Sequence, residues 1–359
     1  MNRLLVVSNY PTSSNIKDGM LQRIKTVDDE FSEWQREYVL LSYTSNRKPK
    51  TETYEDGRVT VYRLNVFIHY FIIRRLLNKN VNVYVHSLLN LIYLFFFNLK
   101  KCRVTVDAHG SVPEEYDFNN KTVMSKILSF FEKRLFKRVN NLIFVSEEMK
   151  DYYVEKYPYL SNRNLIVKPI FSPNAFVDSN ENDQKKMRES LQINNDDTVF
   201  IYSGNIQAWQ NVDQVIDNMI EIAKDSYFFI FLTGEKDGMQ KIIDQKIGTR
   251  KIRYIIDSVQ PNELYKYYSI SHYGYLLRDE HILNRVASPT KLIEYLYYGI
   301  VPIMKYERVG DAFRMGFDYI SIKDNMFELP PRKSAHNKEI ALNIASKSNE
   351  CSLISLYQS

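Results

Sequence analysis

The chain has 359 residues, which is long for one domain and suits two domains of ordinary size. With 44% apolar residues, 25% charged residues and a net charge of +5, its composition is globular and excludes a disordered chain. Its two cysteines, Cys102 and Cys351, match no metal or redox spacing, which favours a reducing compartment over a disulfide scaffold. No apolar run reaches the roughly 18 residues that span a bilayer. The first residues predict a strand and a turn rather than a signal peptide, so we expect a cytoplasmic protein.

Strands and helices alternate through the first half of the chain. Short apolar runs predict strands at residues 3–8, 38–42, 59–64, 82–86, 103–107, 141–145 and 165–168. The loop after the first strand, NYPTSSNIKDGM, is rich in turn formers and contains Gly19. Ligands of open α/β sheets gather at such strand ends, which makes Gly19 a candidate binding residue beside an ordinary turn glycine. Further along, residues 121–139 predict an amphipathic helix, and Ser146 predicts the N-cap of the next one.

Basic residues are concentrated in a window without acids. Between Asp56 and Asp107 the sequence has no aspartate or glutamate. The bases in this window are Arg58, Arg63, Arg74, Arg75, Lys79, Lys100, Lys101 and Arg103. Two apolar stretches, VFIHYFIIRRLLNK and LLNLIYLFFFNLKK, lie among them, and this combination predicts a peripheral contact of residues 58–103 with an anionic membrane. Buried helices with basic ends are the structural alternative, and nucleic acid is not expected, because no nucleic-acid-binding motif is present.

Polar side chains follow the strand at residues 103–107 in the stretch AHGSVPEEYDF. His109 stands at the strand end, and Glu114 and Glu115 lie just beyond it in what reads as a turn. Histidine and carboxylate side chains are the usual proton donors and acceptors of catalysis. His109 and Glu114 are therefore candidate catalytic residues, with a structural histidine as the alternative.

The alternation restarts after a predicted hinge. Two prolines within residues 168–173 break regular structure, and the polar run at 178–197 predicts a linker with a short helix. Strands are then predicted at residues 198–202, 227–233, 252–256 and 273–277. Gly204 and Asn205 open the loop after the first of these strands, where a missing Cβ lets the backbone approach a phosphate.

The stretch RDEHILNRVASPTKLIEYLYYGIVPIM, residues 278–304, predicts a loop, a helix and a short buried strand. Ser288 suits the N-cap, Pro289 suits the first helical position, and Gly299 suits the positive-φ position after the last turn.

The first turn of this helix is a candidate phosphate site. Its free N–H groups from Thr290 onward point at one end of the helix, and Lys291 adds a full charge there. Glu294 lies on the same face one turn later and is suited to accept two ribose hydroxyls. A capped surface helix with a routine Lys–Glu pair is the alternative reading.

The residues SPTKLIEYLYYGIVPI resemble the nucleotide-sugar motif of the retaining GT-B glycosyltransferases of glycosyltransferase family 4. In that family a glutamate-containing loop runs into a helix with a second glutamate eight residues later. Glu294 matches the second glutamate, which implies binding of the nucleotide ribose. The position of the first glutamate, which contacts the donor sugar, is Val286 here, and Glu280 is the nearest substitute.

The resemblance assigns further roles. It implies that His109 lies near the transferred sugar and that Ser258 and Val259 contact the nucleotide base. The family usually has an arginine and a lysine at the positions of Asn205 and Gln210. Phosphate binding would therefore depend more on Lys291, with help from Arg278 or Arg285.

Fold and function follow as expectations. The resemblance implies the GT-B fold, an α/β fold of two Rossmann-like, doubly wound parallel-sheet domains that face a central cleft. Residues 1–170 would form the acceptor-binding domain, 171–336 the nucleotide-sugar-binding domain, and 337–359 a C-terminal helix that crosses back to the first domain.

The implied activity is transfer of a hexosyl group from a nucleoside-diphosphate sugar to a glycan. The family retains anomeric configuration and acts without metal or cofactor. The resemblance is to members that synthesise surface polysaccharides, which implies a growing glycan as the acceptor. That acceptor would be lipid-linked if residues 58–103 dock at the inner face of the membrane. A sugar-nucleotide epimerase of the same fold is an alternative. A degenerate protein that binds nucleotide sugar or glycan without turnover is another.

Overall fold

The computed structural model describes residues 2–12, 19–170, 176–350 and 352–358. The chain folds into two compact units. The first comprises Met1–Ile170, Val286–Ser288 and Lys347–Ser359, and the second comprises Phe171–Arg285 and Pro289–Ser346. Each is an α/β structure on a largely parallel sheet, so the predicted fold class is confirmed.

The strands of the first unit are β1 (Arg3–Val7), β2 (Gln35–Ser42), β3 (Lys50–Tyr54), β4 (Val59–Asn65), β5 (Asn82–His86), β6 (Arg103–Ala108), β7 (Asn141–Phe144) and β8 (Asn164–Val167). Among the described residues they form one sheet in the order β3-β4-β2-β1-β5-β6-β7-β8. β3 pairs antiparallel with β4, and the other neighbours are parallel. The sequence prediction missed β3, because KTETY is a largely exposed edge strand without an apolar run.

The helices of this unit that precede residue 170 are α1 (Gly19–Glu30), α2 (Tyr70–Lys79), α3 (Ser87–Ile92), α4 (Val112–Phe118), α5 (Thr122–Leu135) and α6 (Glu147–Lys156). Ser146 caps α6 as predicted, since its hydroxyl accepts from the Met149 amide at 3.0 Å. The sequence prediction did not include α4, which begins at Val112 with Pro113 in its first turn. Proline is compatible with that position and does not break the helix there.

In the second unit the strands are β9 (Thr198–Ser203), β10 (Tyr227–Leu232), β11 (Tyr254–Asp257), β12 (Tyr273–Leu276), β13 (Val301–Met304) and β14 (Ile320–Ser321). In the part of the unit that the structure describes, they form a parallel sheet in the order β11-β10-β9-β12-β13-β14. The helices are α7 (Glu181–Ser190), α8 (Val212–Ile222), α9 (Lys236–Ile247), α10 (Leu264–Ile270), α11 (Ile282–Val286), α12 (Thr290–Tyr297) and α13 (Ala335–Glu350).

Both faces of this second sheet are buried. Along β9, Val199 and Ile201 pack into one apolar cluster, while Phe200 and Tyr202 pack into the other. Successive side chains of a strand point to opposite faces, so a strand covered by helices on both sides must be apolar throughout. This explains why β9 and β10 read as continuous apolar runs.

The end of the chain packs in the first unit. α14 (Ser355–Gln358) places Tyr357 with its ring centroid 5.9 Å from that of Phe31 and its hydroxyl 3.3 Å from the Val83 carbonyl. The single helix predicted over residues 337–359 is thus α13 and a separate α14. Cys102 is buried with a free thiol, and Cys351 lies outside the described residues. No helix among the residues described is both long and apolar enough to cross a bilayer.

Candidate functional site

The second sheet has a topological switch point between β9 and β12. From β9 the strand order runs through β10 to β11 on one side and through β12 to β13 on the other. Loops that leave the carboxyl ends of two such strands diverge and open a crevice, where ligands of doubly wound sheets bind. Gly204 follows β9 and Arg278 follows β12, so two predicted donor-binding residues flank this point.

Two tyrosines hold the carboxyl end of β9. The Ser203 amide donates to the Tyr295 hydroxyl at 3.1 Å, and the Tyr268 hydroxyl lies 2.9 Å from Ser203 Oγ. Both rings are fully buried. Gly204 comes next, and a Cβ there would lie 2.9 Å from the Tyr202 hydroxyl. The backbone at Ser203 and Gly204 is therefore held by hydrogen bonds to buried tyrosines and is tightly packed.

The helix with the predicted phosphate site starts one residue later than expected. α12 begins at Thr290 with Pro289 in the N-cap position, and it has no side-chain cap. The prediction that Ser288 caps the helix is therefore wrong. The Pro289 carbonyl accepts from the amides of Leu292 and Ile293. The amides of Thr290 and Lys291 make no hydrogen bond within the described chain, and they remain available at the positive end of the helix dipole.

Glu294 is buried at the base of this first turn, with 7% of its surface exposed. Its Oε2 lies 2.9 Å from the Tyr268 hydroxyl and 3.0 Å from Lys291 Nζ. A carboxylate only accepts, so Tyr268 donates to Glu294 and accepts in turn from the Ser203 hydroxyl. The network directs one carboxylate oxygen inward, and no other described group donates to Oε1. The second oxygen is thus free to accept from a ligand.

Arg278 is a partly buried cation without an acid among the described residues. Its Nη1 donates to Asn284 Oδ1 at 3.2 Å, and its Nε has no partner. Burial lowers its pKa, yet a guanidinium stays charged at neutral pH. Among the described residues no carboxylate forms an ion pair with it. Burial raises the pKa of Tyr202, and Arg278 and Lys291 both oppose that rise, so each cation acts on the Tyr202 hydroxyl.

The other predicted donor residues occupy the same edge of the sheet. Asn205 follows Gly204, and its Oδ1 accepts from the Gln207 amide at 3.3 Å. Ser258 and Val259 follow β11, where the Ser258 amide donates to Asp257 Oδ1 at 2.8 Å. The Asp257 pKa is held down chiefly by the hydrogen bond from Tyr267. Ser258 is exposed and Val259 is partly buried against the core.

The structure does not bring a carboxylate to the position of the family's first glutamate. Val286 is 2% exposed and ends α11, a short helix that the sequence prediction missed. Its carbonyl accepts from the Ser146 hydroxyl at 2.6 Å. Glu280 lies in the exposed turn between β12 and α11.

His109 stands at the carboxyl edge of the first sheet, directly after β6. Its Nδ1 is 3.8 Å from Oδ1 of the fully buried Asp107. Arg23 pairs with the other oxygen at 3.1 Å, and Tyr84 donates to it at 3.0 Å. Burial alone would raise the Asp107 pKa, but the Arg23 guanidinium and His109 hold it well below its usual range. Asp107 therefore fixes its surroundings as a permanent anion.

His86 completes this cluster. It is fully buried, and neither ring nitrogen has a hydrogen-bond partner among the described residues. Burial lowers its pKa to about 3. Ligand atoms of His86, Asp107 and His109 lie within 4.8 Å of one another, a grouping that suits a metal ion. Arg23 already balances the Asp107 charge, however, and would repel a cation held there. The donor set does not fit a metal while that ion pair is formed.

The two candidate carboxylates of α4 differ in their surroundings. Glu114 Oε1 accepts from Lys156 and from the Tyr152 hydroxyl, each at 2.6 Å, which ties it to α6. Glu115 is exposed and interacts electrostatically with His109, and a Cβ on the neighbouring Gly110 would lie 2.7 Å from Glu115 Oε1. Of the two acids named from the sequence, Glu115 thus lies close to the His109–Gly110 turn, while Glu114 is engaged by α6. Gly19 begins α1, and the loop before it, residues 13–18, lies outside the described residues.

Sequence reasoning missed the residues that organise both sites. Tyr268, Arg23 and His86 belong to no motif, and Tyr295 has no assigned role in the motif that contains it. All four act through contacts distant in sequence. Asp107 did carry a signal, because a carboxylate inside the buried strand RVTVD requires a partner.

No protein-family model matches the sequence, and no curated protein matches it by sequence. Solved structures do match. Sucrose-phosphate synthase from Thermosynechococcus elongatus is similar with a TM-score of 0.67 and 11% identity, over 100% of this chain and 98% of that one. A trehalose-6-phosphate structure from E. coli, bound with UDP-2-fluoro glucose, is similar with a TM-score of 0.66 and 13% identity, over 100% of this chain and 99% of that one. WaaG, a glycosyltransferase involved in lipopolysaccharide biosynthesis, is similar with a TM-score of 0.60 and 10% identity, over 99% of this chain and 97% of that one.

These likenesses extend over nearly the full length of each chain and establish the fold. The chain has the GT-B fold, as the resemblance of residues 288–303 implied.

Proposed function

We propose that the protein is a glycosyltransferase that uses a nucleoside-diphosphate sugar. The observation that carries the proposal is the partly buried Arg278, a cation without an acid among the described residues at the switch point of the second sheet. Lys291 and the free amides of α12 add positive charge at the same edge. Partial burial of a cation is costly unless an anion balances it, and a diphosphate supplies that balance.

In this proposal the ribose lies on Glu294. Its Oε1 accepts the hydroxyls, while Tyr268 and Lys291 hold its other oxygen in place. The base lies against the backbone of Ser258 and Val259 after β11. Uridine is the first base to test, because the similar E. coli structure is bound with UDP-2-fluoro glucose.

The chemistry follows from where charge develops. When the bond from the sugar to the diphosphate breaks, negative charge accumulates on the leaving phosphate. Arg278, Lys291 and the amides of Thr290 and Lys291 interact more strongly with that charge than with the ground state, which lowers the barrier. By resemblance we infer retention of configuration, a hexosyl group and no requirement for metal. His109 and Glu115 would line the pocket of the reacting groups in the first unit.

The acceptor that we propose is a lipid-linked glycan of cell-surface polysaccharide synthesis, at the cytoplasmic face of a membrane. This choice of acceptor rests on the likeness to WaaG and on the acid-free basic window at residues 57–106.

Of the two alternatives, the degenerate nucleotide-sugar-binding protein is favoured by one observation. A buried valine, Val286, stands where the family has its first glutamate. The epimerase finds less support, because Glu114 is engaged by Lys156 and Tyr152.

The test is donor turnover. The full chain is incubated with a panel of nucleotide sugars, with and without a soluble glycan acceptor, in the presence of a chelator. We expect release of one nucleoside diphosphate that Arg278→Gln abolishes and that Lys241→Gln, an exposed control in α9, leaves unchanged. Conversion of the sugar without diphosphate release indicates epimerisation. Binding of a donor without any turnover indicates the degenerate protein.

A further inference from the structure

The first unit exposes large apolar side chains on a continuous surface. Phe71 on α2 is 77% exposed and Val123 on α5 is 76% exposed. A few scattered apolar residues on a surface are normal, but a contiguous set is typical of an interaction site. We call this set the docking face and define it by its six most prominent members: Phe67, Phe71, Phe96, Val123, Ile127 and Phe130.

Helix α5 contributes an apolar stripe that packs against nothing described. Val123, Ile127 and Phe130 recur at positions i, i+4 and i+7 and are all exposed. The helix buries its other apolar face through Leu128 and Leu135. A helix that needs only one apolar face to join the core thus carries a second one towards solvent.

Ring contacts connect α5 to the turn that precedes α2. The Phe67 ring lies 6.5 Å from that of Phe96, and Phe96 lies 5.3 Å from Phe95. Phe95 then contacts Phe131 at 4.9 Å, and Phe131 contacts Phe130 at 5.6 Å. This unbroken series of aromatic neighbours makes α5 and the turn before α2 parts of one surface.

A basic pocket opens in this surface. It has a volume of about 620 Å³ and is lined by Phe95, Phe130, Lys133, Arg134, Lys137 and Arg138. Arg138 donates to the Phe95 carbonyl at 2.7 Å, which fixes the wall. The Arg134 guanidinium lies over the Phe130 ring at 4.4 Å. Four cations beside two phenylalanines suit an anion attached to an apolar tail.

The chain segments that carry the docking face are rich in bases and nearly free of acids, although Arg63 and Lys79 pair with Glu52 and Glu37 of other segments. Residues 57–106 contain no acid. Residues 118–146 contain Glu132 alone, which is fully buried and accepts from Tyr153 and Lys156. A protein partner surface normally mixes both signs, whereas the combination of exposed aromatics and bases matches an anionic bilayer.

We propose that the first unit binds an anionic membrane through the docking face, with its aromatic side chains among the lipids and the headgroup phosphate of an acidic lipid in the basic pocket. Surface bases attract the bilayer over a Debye length, and the apolar groups then anchor the protein. The proposal deepens the proposed use of a lipid-linked acceptor. Its test needs no donor and no turnover, so its failure is distinguishable from failure of the proposed activity.

The experiment is co-sedimentation of the full chain with vesicles of phosphatidylcholine alone and with phosphatidylglycerol added. We expect binding to the anionic vesicles only, weakened at high ionic strength. Each basic residue near the surface contributes roughly fivefold to partitioning. The triple variant Lys133→Gln, Arg134→Gln, Lys137→Gln should therefore bind about 100-fold more weakly.

The double variant Phe71→Ser, Ile127→Ser should bind anionic vesicles at least about tenfold more weakly, because burial of these side chains in the bilayer anchors the protein. Matched controls in the second unit are Lys185→Gln with Lys186→Gln and Phe327→Ser, which replace exposed residues and should leave binding unchanged. Unaltered thermal unfolding of each variant shows that it is folded.

Three results overturn the proposal. The first is equal binding of wild type and triple variant to anionic vesicles, and the second is equal binding of wild type to neutral and anionic vesicles. The third is preference for a nucleic-acid oligonucleotide over anionic vesicles, which would assign the basic residues to a different partner.

Discussion

The hydroxyl of Tyr268 lies 2.9 Å from Oε2 of Glu294, and both groups are buried. This bond joins α10 to α12 and leaves one oxygen of Glu294 for a ligand. Tyr268→Phe removes the donor and also the acceptor of the Ser203 hydroxyl. We expect a loss of about 1–3 kcal/mol in unfolding free energy and a nucleotide affinity lower by about tenfold. Thermal unfolding and a nucleotide titration measure the two effects.

Tyr265→Phe is the matched control, because its hydroxyl, on the same helix, makes no hydrogen bond to any described residue. Unchanged nucleotide affinity in Tyr268→Phe would show that the bond does not position Glu294.

A substitution at Gly274 on β12 also tests how the nucleotide site is held in place. A Cβ there would lie 2.6 Å from Cδ2 of the buried Tyr295 ring, whose hydroxyl accepts from the Ser203 amide. Gly274→Ala should therefore cost about 1–3 kcal/mol by overpacking and weaken nucleotide binding by shifting Tyr295. Gly234→Ala, after β10, is the control, since nothing described lies within 4 Å of its Cβ position. Equal melting temperatures for both variants would contradict the packing argument.

The two acids of α4 should separate stability from activity. Glu114→Gln breaks the ion pair with Lys156 and should lower the unfolding free energy by about 1–3 kcal/mol, with little effect on turnover by the folded protein. Glu115→Gln should leave stability nearly unchanged, because the side chain is exposed and forms no ion pair among the described residues, while it lowers turnover beside His109. Denaturant unfolding and donor consumption are the two measurements. The reverse pattern would return the catalytic role to Glu114.

Stability of the second unit should fall in mild acid through His272. Its Nδ1 accepts from the Val199 amide at 3.0 Å, which requires the neutral ring. Burial, with smaller effects of Lys333 and Arg188, lowers its pKa to about 3. The stabilisation is complete above the unfolded pKa of about 6.5 and is lost as pH falls below it towards 3, about 2 kcal/mol by pH 5.

His272→Asn keeps an acceptor without this titration. We expect its melting temperature to fall less between about pH 7 and about pH 5 than that of wild type. Parallel curves for the two proteins would exclude His272 as the source of acid sensitivity.

The sequence predicted the fold where burial on both faces leaves a simple pattern. The run at 82–86 is β5 and that at 198–202 is β9 but for one residue, because strands covered on both sides are apolar throughout. It failed at β3, an exposed edge strand whose pairing depends on β4. It also missed α4, which is only seven residues long and has Pro113 in its first turn.

Part of the candidate site could be predicted from the sequence. The helix of Lys291 and Glu294 was visible as a pattern of helical periodicity and a glycine stop, and Gly299 has φ +66° as expected. Tyr268 and Tyr295 were not, because their role arises only when α10, β9 and α12 pack together. Local sequence identifies groups suited to bind a phosphate, whereas tertiary packing decides which groups hold them in place.

The central claim is that the second unit binds a nucleoside diphosphate through Glu294 and the cations beside it. The measurement is thermal unfolding of wild type, Glu294→Ala, Glu294→Gln and the exposed control Glu328→Ala with a panel of nucleoside diphosphates and a chelator. At about 100 times its dissociation constant, a ligand adds about 2.7 kcal/mol to the stability of the folded protein. We predict such a shift with one nucleoside diphosphate in wild type and Glu328→Ala, and its loss in both Glu294 variants. No shift with any of them, or an equal shift in all four proteins, would contradict the account.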